Sequence, residues 1–286
     1  MLLTRLGQTI QHEIPLPISI VGTGSSGNAV FIHPFRMLID LGFTYAKLSE
    51  SIDLDQVDYI ALTHEHYSDH LNLTALKRIV VRHPRVQIIL PDRLWKIIQT
   101  ADPEIQQLIQ KNVRTFLFDT PFSLNTRDGI TYNIFPHSTN HGDIINVAYD
   151  IQCDQMQTHF LYATDLDTFV EDPSGFPRGL PQDPHNKFNI ILLEANYDEE
   201  VLHTHINNLT AEIREIDKRI TENPFANLNL QKQKKICQNE LVRAQGNLRH
   251  ISEAAALEYV KTHLTGEGIF IPMHASREFG TYIFNQ

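Results

Sequence analysis

The sequence predicts a mixed α/β domain, rich in strands and covered by helices. Three observations carry that expectation. Apolar runs of strand length fall in two groups along the chain, and segments with helical spacing lie between and after them. The strands also do not alternate strictly with helices, as an all-parallel sheet would demand.

Taken in order, "ISIVGTGSSGNAVFIH" reads as strand, Gly/Ser turn and strand, and "RMLIDLGF" as a short strand ending in Asp40. "VDYIALTHEH" is a buried strand that runs directly into histidines. "LNLTALKRIVVRH" has helical spacing, "VQIILP" is a strand, and "PDRLWKIIQTADPEIQQLIQKN" is largely helical. The second group follows: "GITYNIFPH", "INVAYDIQ" and "THFLYATD" as three consecutive strands, then "FNIILLEAN". A helix over "SEAAALEYVKTH" and a last strand, "GIFIPMH", close the pattern. Residues 198–247 stand apart as a helical hairpin inserted between strand and helix, broken at "NPFANLN". Its basic residues, Arg214, Lys218, Arg219, Lys232, Lys234 and Lys235 among them, nearly balance its acids. It therefore reads as a solvated face or homo-oligomer contact ahead of a substrate-gripping arm. Residues 1–286 are expected to form one domain around this insertion.

The chain has 286 residues, 42% hydrophobic and 20% charged, which is ordinary for a globular protein with a substantial core. No apolar run reaches the roughly 20 residues of a membrane span. The stretch MLLTRLGQTIQHEI has no unbroken apolar region and no small-residue cleavage site, and the two cysteines, Cys153 and Cys237, form no disulfide framework. A cytoplasmic location is expected. The net charge of −10 weighs against a surface coated in nucleic acid. It does not weigh against a nuclease, because bound cations offset local acidity.

The stretch Thr63 to His70, "THEHYSDH", places three histidines and two acids in eight residues. His64 and His66 are two apart at a strand end and so face the same way. Imidazoles with a nearby carboxylate suit a borderline divalent ion such as zinc. His64, His66, Asp69 and His70 are more ligands than one open catalytic site needs, which points to two adjacent ions. The alternative is a polar loop with incidental histidines.

With this motif the sequence resembles the metallo-β-lactamase fold family, which carries H-x-H-x-D-H after a buried strand. The resemblance runs from "SIVGTGSSGNAVFI" to "PMHASREFG", apart from the hairpin. It is nearest the WalJ (YycJ)-type branch, through the similar SGSSGN turn, and shares features with tRNase Z. One departure is clear: Tyr67 and Ser68 stand where the family has a single residue, which puts the geometry of Asp69 in question. The resemblance implies a four-layer αββα sandwich. It implies His64, His66 and His141 on one ion and Asp69, His70 and His274 on the other, with Asp165 of "YATD" between them. His137 is the rival to His141, which is favoured by its spacing to "VAYDI"; Gly142 intervenes before Asp143, unlike the WalJ pattern. Asp40 matches an acidic residue that buttresses the metal loop. "LLEANYD" and "RHISEAAALEYV" resemble tRNase Z segments and place Glu194 and His250 as an acid pair, with His250 protonating the leaving alkoxide. "GTGSSGN" is either a tight hairpin or a phosphate cradle; in the latter case Ser25, Ser26 and Asn28 line the pocket. His203 and His205 read as surface residues.

The function so implied is two-metal hydrolysis of a phosphodiester, most closely a 5′-to-3′ DNA exonuclease. The ions are expected to be zinc, with manganese as the alternative, the substrate a nucleic acid or nucleotide, and no membrane is involved. Asp69, Glu194 and His250 are the expected catalytic residues. The rivals are a small-molecule hydrolase, such as a cyclic-nucleotide phosphodiesterase or a lactonase, and a non-catalytic module on the same fold.

Overall fold

The computed structural model describes residues 3–5, 8–10, 18–24, 27–67, 69–222, 227–276, 278–280 and 283–284. A small sheet pairs β1 (Leu3–Arg5) with β2 (Gln8–Ile10) and with the last strand, β15 (Ile283–Phe284). The first large sheet runs, in spatial order, β3 (Ile18–Gly22), β4 (Ala29–Ile32), β5 (Met37–Ile39), β6 (Tyr59–Ala61), β7 (Gln87–Pro91) and β8 (Val113–Phe116). The second has the spatial order β14 (Leu264–Met273), β13 (Phe188–Glu194), β12 (Thr158–Ala163), β11 (Ile144–Cys153), β10 (Thr131–His141) and β9 (Phe122–Asn125). Pairing is antiparallel in β3–β4–β5 and in β9–β10–β11–β12, and parallel in β5 to β8 and in β12 to β14.

Parallel neighbours need crossovers, and helices supply them. α1 (Tyr45–Ser51) and α2 (Leu73–Arg82) flank β6, and α3 (Asp92–Ala101) and α4 (Pro103–Ile109) join β7 to β8. α5 (Glu199–Glu222), α6 (Asn227–Gly246) and α7 (Glu253–His263) lie between β13 and β14. The stretch read as one helical segment after β7 is split because Pro103 cannot continue a helix. Asp102 instead caps α4, its carboxylate accepting from the Ile105 N–H at 2.9 Å.

Alternation within the strands produces the layers. In β7, Ile88 and Leu90 pack with Leu76, Ile79, Leu94 and Ile98 of the helices, whereas Ile89 faces the other way, into a core shared with Tyr132, Tyr149 and Phe160 of the second sheet. In β13, Leu192 joins that inter-sheet core, and Ile191 and Leu193 pack outward on Ala256, Tyr259 and Val260 of α7. Helices, sheet, sheet and helix thus stack as the αββα sandwich that was expected. Strands buried on both faces carry no polar alternation, which is why they read as continuous apolar runs. The inter-sheet tyrosines satisfy their hydroxyls across the layers: Tyr149 donates to the Leu62 carbonyl at 2.6 Å and Tyr162 to Asp40 at 3.2 Å.

The hairpin helices run antiparallel, since Asp217 meets Lys234 at 2.5 Å and His205 meets Glu240 at 3.3 Å. They share their own small core of Leu209, Ile216, Leu230 and Cys237. The expected break at "NPFANLN" falls largely on residues 223–226, outside the described residues. Several short elements were not expected from the sequence: the small-sheet strands β1, β2 and β15, the helix α1, and the edge strands β8 and β9. Each is seven residues or fewer and lacks a long period.

Candidate metal centre

Parallel strands end at the same edge of a sheet, and the site is built on those ends. Asp40 follows β5, Thr63 to His70 follow β6, Asp165 follows β12, Glu194 ends β13 and His274 follows β14. β10 points the same way as β12, so His141 at its end arrives at the same edge. The β10–β11 turn is two residues long, Gly142 and Asp143, with His141 paired to Ile144 and Gly142 at φ 60. That conformation suits glycine in a tight hairpin, which accounts for the residue between His141 and Asp143. Asp40, Asp165 and His274 also adopt positive φ, at 60, 54 and 52. Side chains rarely hold that region unless their surroundings enforce it, and here it turns each side chain off its strand end into the cluster.

Four of the imidazoles, those of His64, His70, His141 and His274, share one orientation, with Nδ1 turned toward a supporting protein group and Nε2 toward the centre; His66 instead turns its Nδ1 inward. His70 Nδ1 lies 2.8 Å from Asp40 and its Nε2 2.6 Å from Asp165. His274 Nδ1 lies 3.3 Å from Glu194 and 3.1 Å from the Asn196 amide, with Nε2 3.4 Å from Asp165. His141 Nδ1 is 3.7 Å from Asp167 and its Nε2 3.7 Å from Asp165. His64 Nδ1 meets the Thr63 hydroxyl at 2.9 Å, and its Nε2 approaches His66 Nδ1 within 2.9 Å. Metal-ligating histidines are held in this way by an outer carboxylate, carbonyl or hydroxyl.

The donor atoms fall into three groups in which all members lie within 4.8 Å of one another: His64, His66 and His141; His64, His70 and Asp165; and Asp165, Glu194, His250 and His274. His274 Nε2, 6% exposed as a residue, is buried without a hydrogen-bond partner. A buried orphan nitrogen is costly, and a cation at the centre would satisfy it. Orientation, spacing and donor chemistry therefore fit divalent metal.

The carboxylates and imidazoles of the cluster shift one another in both directions. Burial, reinforced by the neighbouring His70, pushes His64 well below the ordinary imidazole range, leaving it neutral as a ligand must be. Burial would also lower His70, but the Asp40 and Asp165 carboxylates hold it well above its usual value. Burial would raise Asp165, yet His274 and His70 hold it well below the carboxylate range. His250 Nδ1 meets Glu194 at 2.6 Å; burial opposes its protonation, but the Glu194 carboxylate brings it up to about 9.

The structure brings His64, His66, His70, His141, Asp165 and His274 together, with Asp40 behind His70 and the Glu194–His250 pair beside Asp165. Asp69 stands outside all three groups; its carbonyl is held by the Asn28 N–H at 2.6 Å, next to the additional residue Ser68, which lies outside the described residues. Asn28, expected to line a pocket, is fully buried. Its side chain exchanges hydrogen bonds with Gly24 (2.9 and 3.2 Å) and lies 2.8 Å from His70 Nε2. That makes it a brace for the turn, because nothing reaches it from solvent. Ser25 and Ser26 lie outside the described residues. His137 is drawn away from the centre to Asp150 (3.4 Å), which His159 shares at 2.7 Å. Within the hairpin, His203 is exposed and His205 pairs with Glu240.

The sequence reading missed Thr63, Tyr162, Asp167 and Asn196. Asp167 accepts from the Gly142 N–H at 2.8 Å, and Asn196 donates to the His274 carbonyl at 2.7 Å. Both lie two residues after a recognised site residue, Asp165 and Glu194, a spacing that was visible in the sequence.

Two results are expected from these supports. Asp40→Asn keeps the shape but removes the charge behind His70, and should weaken metal binding by roughly 10–100-fold in a competition titration with a chelating dye. Unchanged affinity would show that Asp40 serves packing alone. A Cβ on Gly42 would sit 2.0 Å from the Asp69 carbonyl oxygen and 2.6 Å from the Asn28 nitrogen, where backbone leaves no room. Gly42→Ala should lower stability in urea by about 1–3 kcal/mol or more; an unmoved midpoint would mean the loop yields freely.

The fold and this cluster define a metal-dependent hydrolase. Residues 36–221 match the family described as the Beta-lactamase superfamily domain, and the chain belongs to it. Among solved structures it is similar to the metallo-beta-lactamase fold protein YhfI from Bacillus subtilis, with 14% identity, 63% of this chain and 71% of that chain covered, and a TM-score of 0.44. It is also similar to Zn(2+)-bound PqqB from Methylobacterium extorquens, with 9% identity, 63% and 72% covered, and a TM-score of 0.42. No curated protein matches the chain. Among the described residues no helix is long and apolar enough to cross a membrane.

Proposed function

We propose that this hydrolase is a phosphodiesterase acting on nucleic acid, most closely a DNA exonuclease of the WalJ type, working with two divalent ions, zinc or alternatively manganese. The observation that carries the reading is the Glu194–His250 pair, 2.6 Å apart and beside Asp165. A phosphodiester expels a poor alkoxide leaving group and gains from a positioned acid, whereas β-lactam opening has less need of one. With Nδ1 committed to Glu194, His250 has Nε2 left to deliver a proton to the departing oxygen.

His64, His66 and His141 would hold one ion and His70 and His274 the other, with Asp165 between them; Asp69 belongs to this set on the motif alone. Such ions supply Lewis-acid polarisation and lower the pKa of bound water. The chain itself orients the imidazoles through Asp40, Thr63, Asp167 and Asn196 and keeps Glu194 charged beneath His250.

The test is a parallel assay on bis(p-nitrophenyl) phosphate, a lactone and nitrocefin, with elemental analysis of the same sample. Cleavage of the phosphodiester with two ions per chain is expected. Turnover of the lactone or nitrocefin alone would overturn the substrate class, and a single ion would overturn the dinuclear assignment. One observation favours a smaller substrate, such as a cyclic nucleotide or a lactone. Two basic residues beside the metal loop are paired with acids, Arg93 with Glu65 at 3.7 Å and Lys96 with Asp92 at 2.6 Å, which weakens their pull on a long polyanionic strand.

A further inference from the structure

A cavity of about 730 Å³ opens one residue from the metal loop, between Tyr67, helix α3 and the segment Phe116 to Phe118 that continues β8. Its size is that of a small-molecule site. Its walls are of two kinds. Tyr67 and Leu117 are 42% and 66% exposed, an unusual amount of apolar surface beside a polar centre, and Phe116, 9% exposed, lies deeper in the lining. Phe118 is braced edge-on by Phe176 at 5.9 Å. The opposite wall is α3, which presents Asp92, Arg93, Lys96 and Thr100 together with the apolar Ile97 and Ala101. Arg93 reaches back to Glu65 inside the metal motif, so the polar wall leads to the centre.

We propose that this groove is the subsite for one nucleobase flanking the scissile phosphate, stacked against Tyr67 and Phe118 with its polar edge toward Asp92 and Thr100. The assignment rests on the phosphodiesterase reading and narrows it to substrates that offer a flat ring next to the ester. One feature selects a base over an aliphatic acyl chain, and a second sets the charge of the bound group. Aromatic faces reward a planar ring. The acid-paired cations suit an uncharged group better than a second phosphate. Tyr67 follows His66 in the chain, so a ring bound against Tyr67 would carry its phosphate toward the metal centre.

The test compares thymidine 5′-monophosphate with methyl phosphate in calorimetric binding to the zinc-loaded full chain. It also compares thymidine 5′-(p-nitrophenyl) phosphate with methyl p-nitrophenyl phosphate in turnover. The thymidine compounds should be preferred by roughly tenfold, within what stacking one base supplies. Tyr67→Ala and Phe118→Ala should each collapse the preference, and Tyr67→Phe should keep it. Equal affinity for the two phosphates, or a preference that survives Tyr67→Ala, overturns the subsite. So does tighter binding of hexyl phosphate than of thymidine 5′-monophosphate, which would assign the groove to a chain. If no diester is cleaved yet the nucleotide binds in a Tyr67-dependent way, the subsite stands and the phosphodiesterase reading falls. If diesters are cleaved without a base preference, the reverse holds.

Discussion

His250→Ala will slow a phosphodiester with an alkoxide leaving group by roughly 10²–10⁴ while leaving p-nitrophenyl esters nearly untouched. The difference arises because p-nitrophenolate departs without a proton and a sugar alkoxide does not. The imidazole is well placed to act as the acid. Its Nδ1 is fixed by Glu194 at 2.6 Å, and the ring stacks on His274 with centroids 5.1 Å apart. Glu194→Gln should show the same leaving-group dependence more weakly, since it removes the charge that holds the proton and keeps the shape. Metal content measured on both variants separates the acid role from a ligand role. Equal losses on the two ester types, or an ion lost with the His250 side chain, would defeat the acid assignment.

The second large effect belongs to Asp165. Its two oxygens lie 2.6 Å from His70, 3.4 Å from His274 and 3.7 Å from His141, so a single carboxylate serves imidazoles from both sheets. Asp165→Asn is nearly isosteric but discards the charge they share. Supporting groups one shell further out cost roughly 10–100-fold in metal affinity when removed, and the shared carboxylate should cost more than about 100-fold, with hydrolysis falling to background. Competition against a chelating dye reads the affinity directly. A variant that still binds metal as tightly as the parent would show that Asp165 is not between the ions.

The residues that could be read from sequence were those carried by strand ends and by a dense motif. His64, His66, Asp165 and His274 each follow a buried apolar run, and a run that ends in a histidine or aspartate advertises its own exit. Asp69 was less legible because its place depends on how the loop absorbs one residue, and loop geometry is set by contacts such as Asn28 N–H to the Asp69 carbonyl that no spacing reveals. A Gly/Ser-rich turn beside a site looks like a cradle, and what the spacing does not reveal is that the Asn28 amide is engaged by Gly24 and lies against His70. Thr63 and Tyr162 were invisible because their role arises only when β5, β6 and β12 meet at Asp40. The groove along α3 was equally hidden. Its aromatic wall is an edge strand too short to show a period, and its polar wall reads as the solvent face of a helix.

The two sheets touch the centre with different residues: Asp40, His64, His66 and His70 come from one, and His141, Asp165 and His274 from the other. A bound ion is therefore a rivet through both plates, and its affinity is tied to how firmly the plates are pressed together. Any cation bound by the folded chain alone adds about 2.7 kcal/mol of stability at a hundred times its dissociation constant. The same linkage runs backwards. A substitution deep between the sheets, at Met37 or Phe160 and far from any donor atom, would loosen the rivet and show up first as a weaker grip on metal. Survivors of random mutagenesis in medium rich in the metal should then include core changes that are lethal to the fold when the metal is scarce.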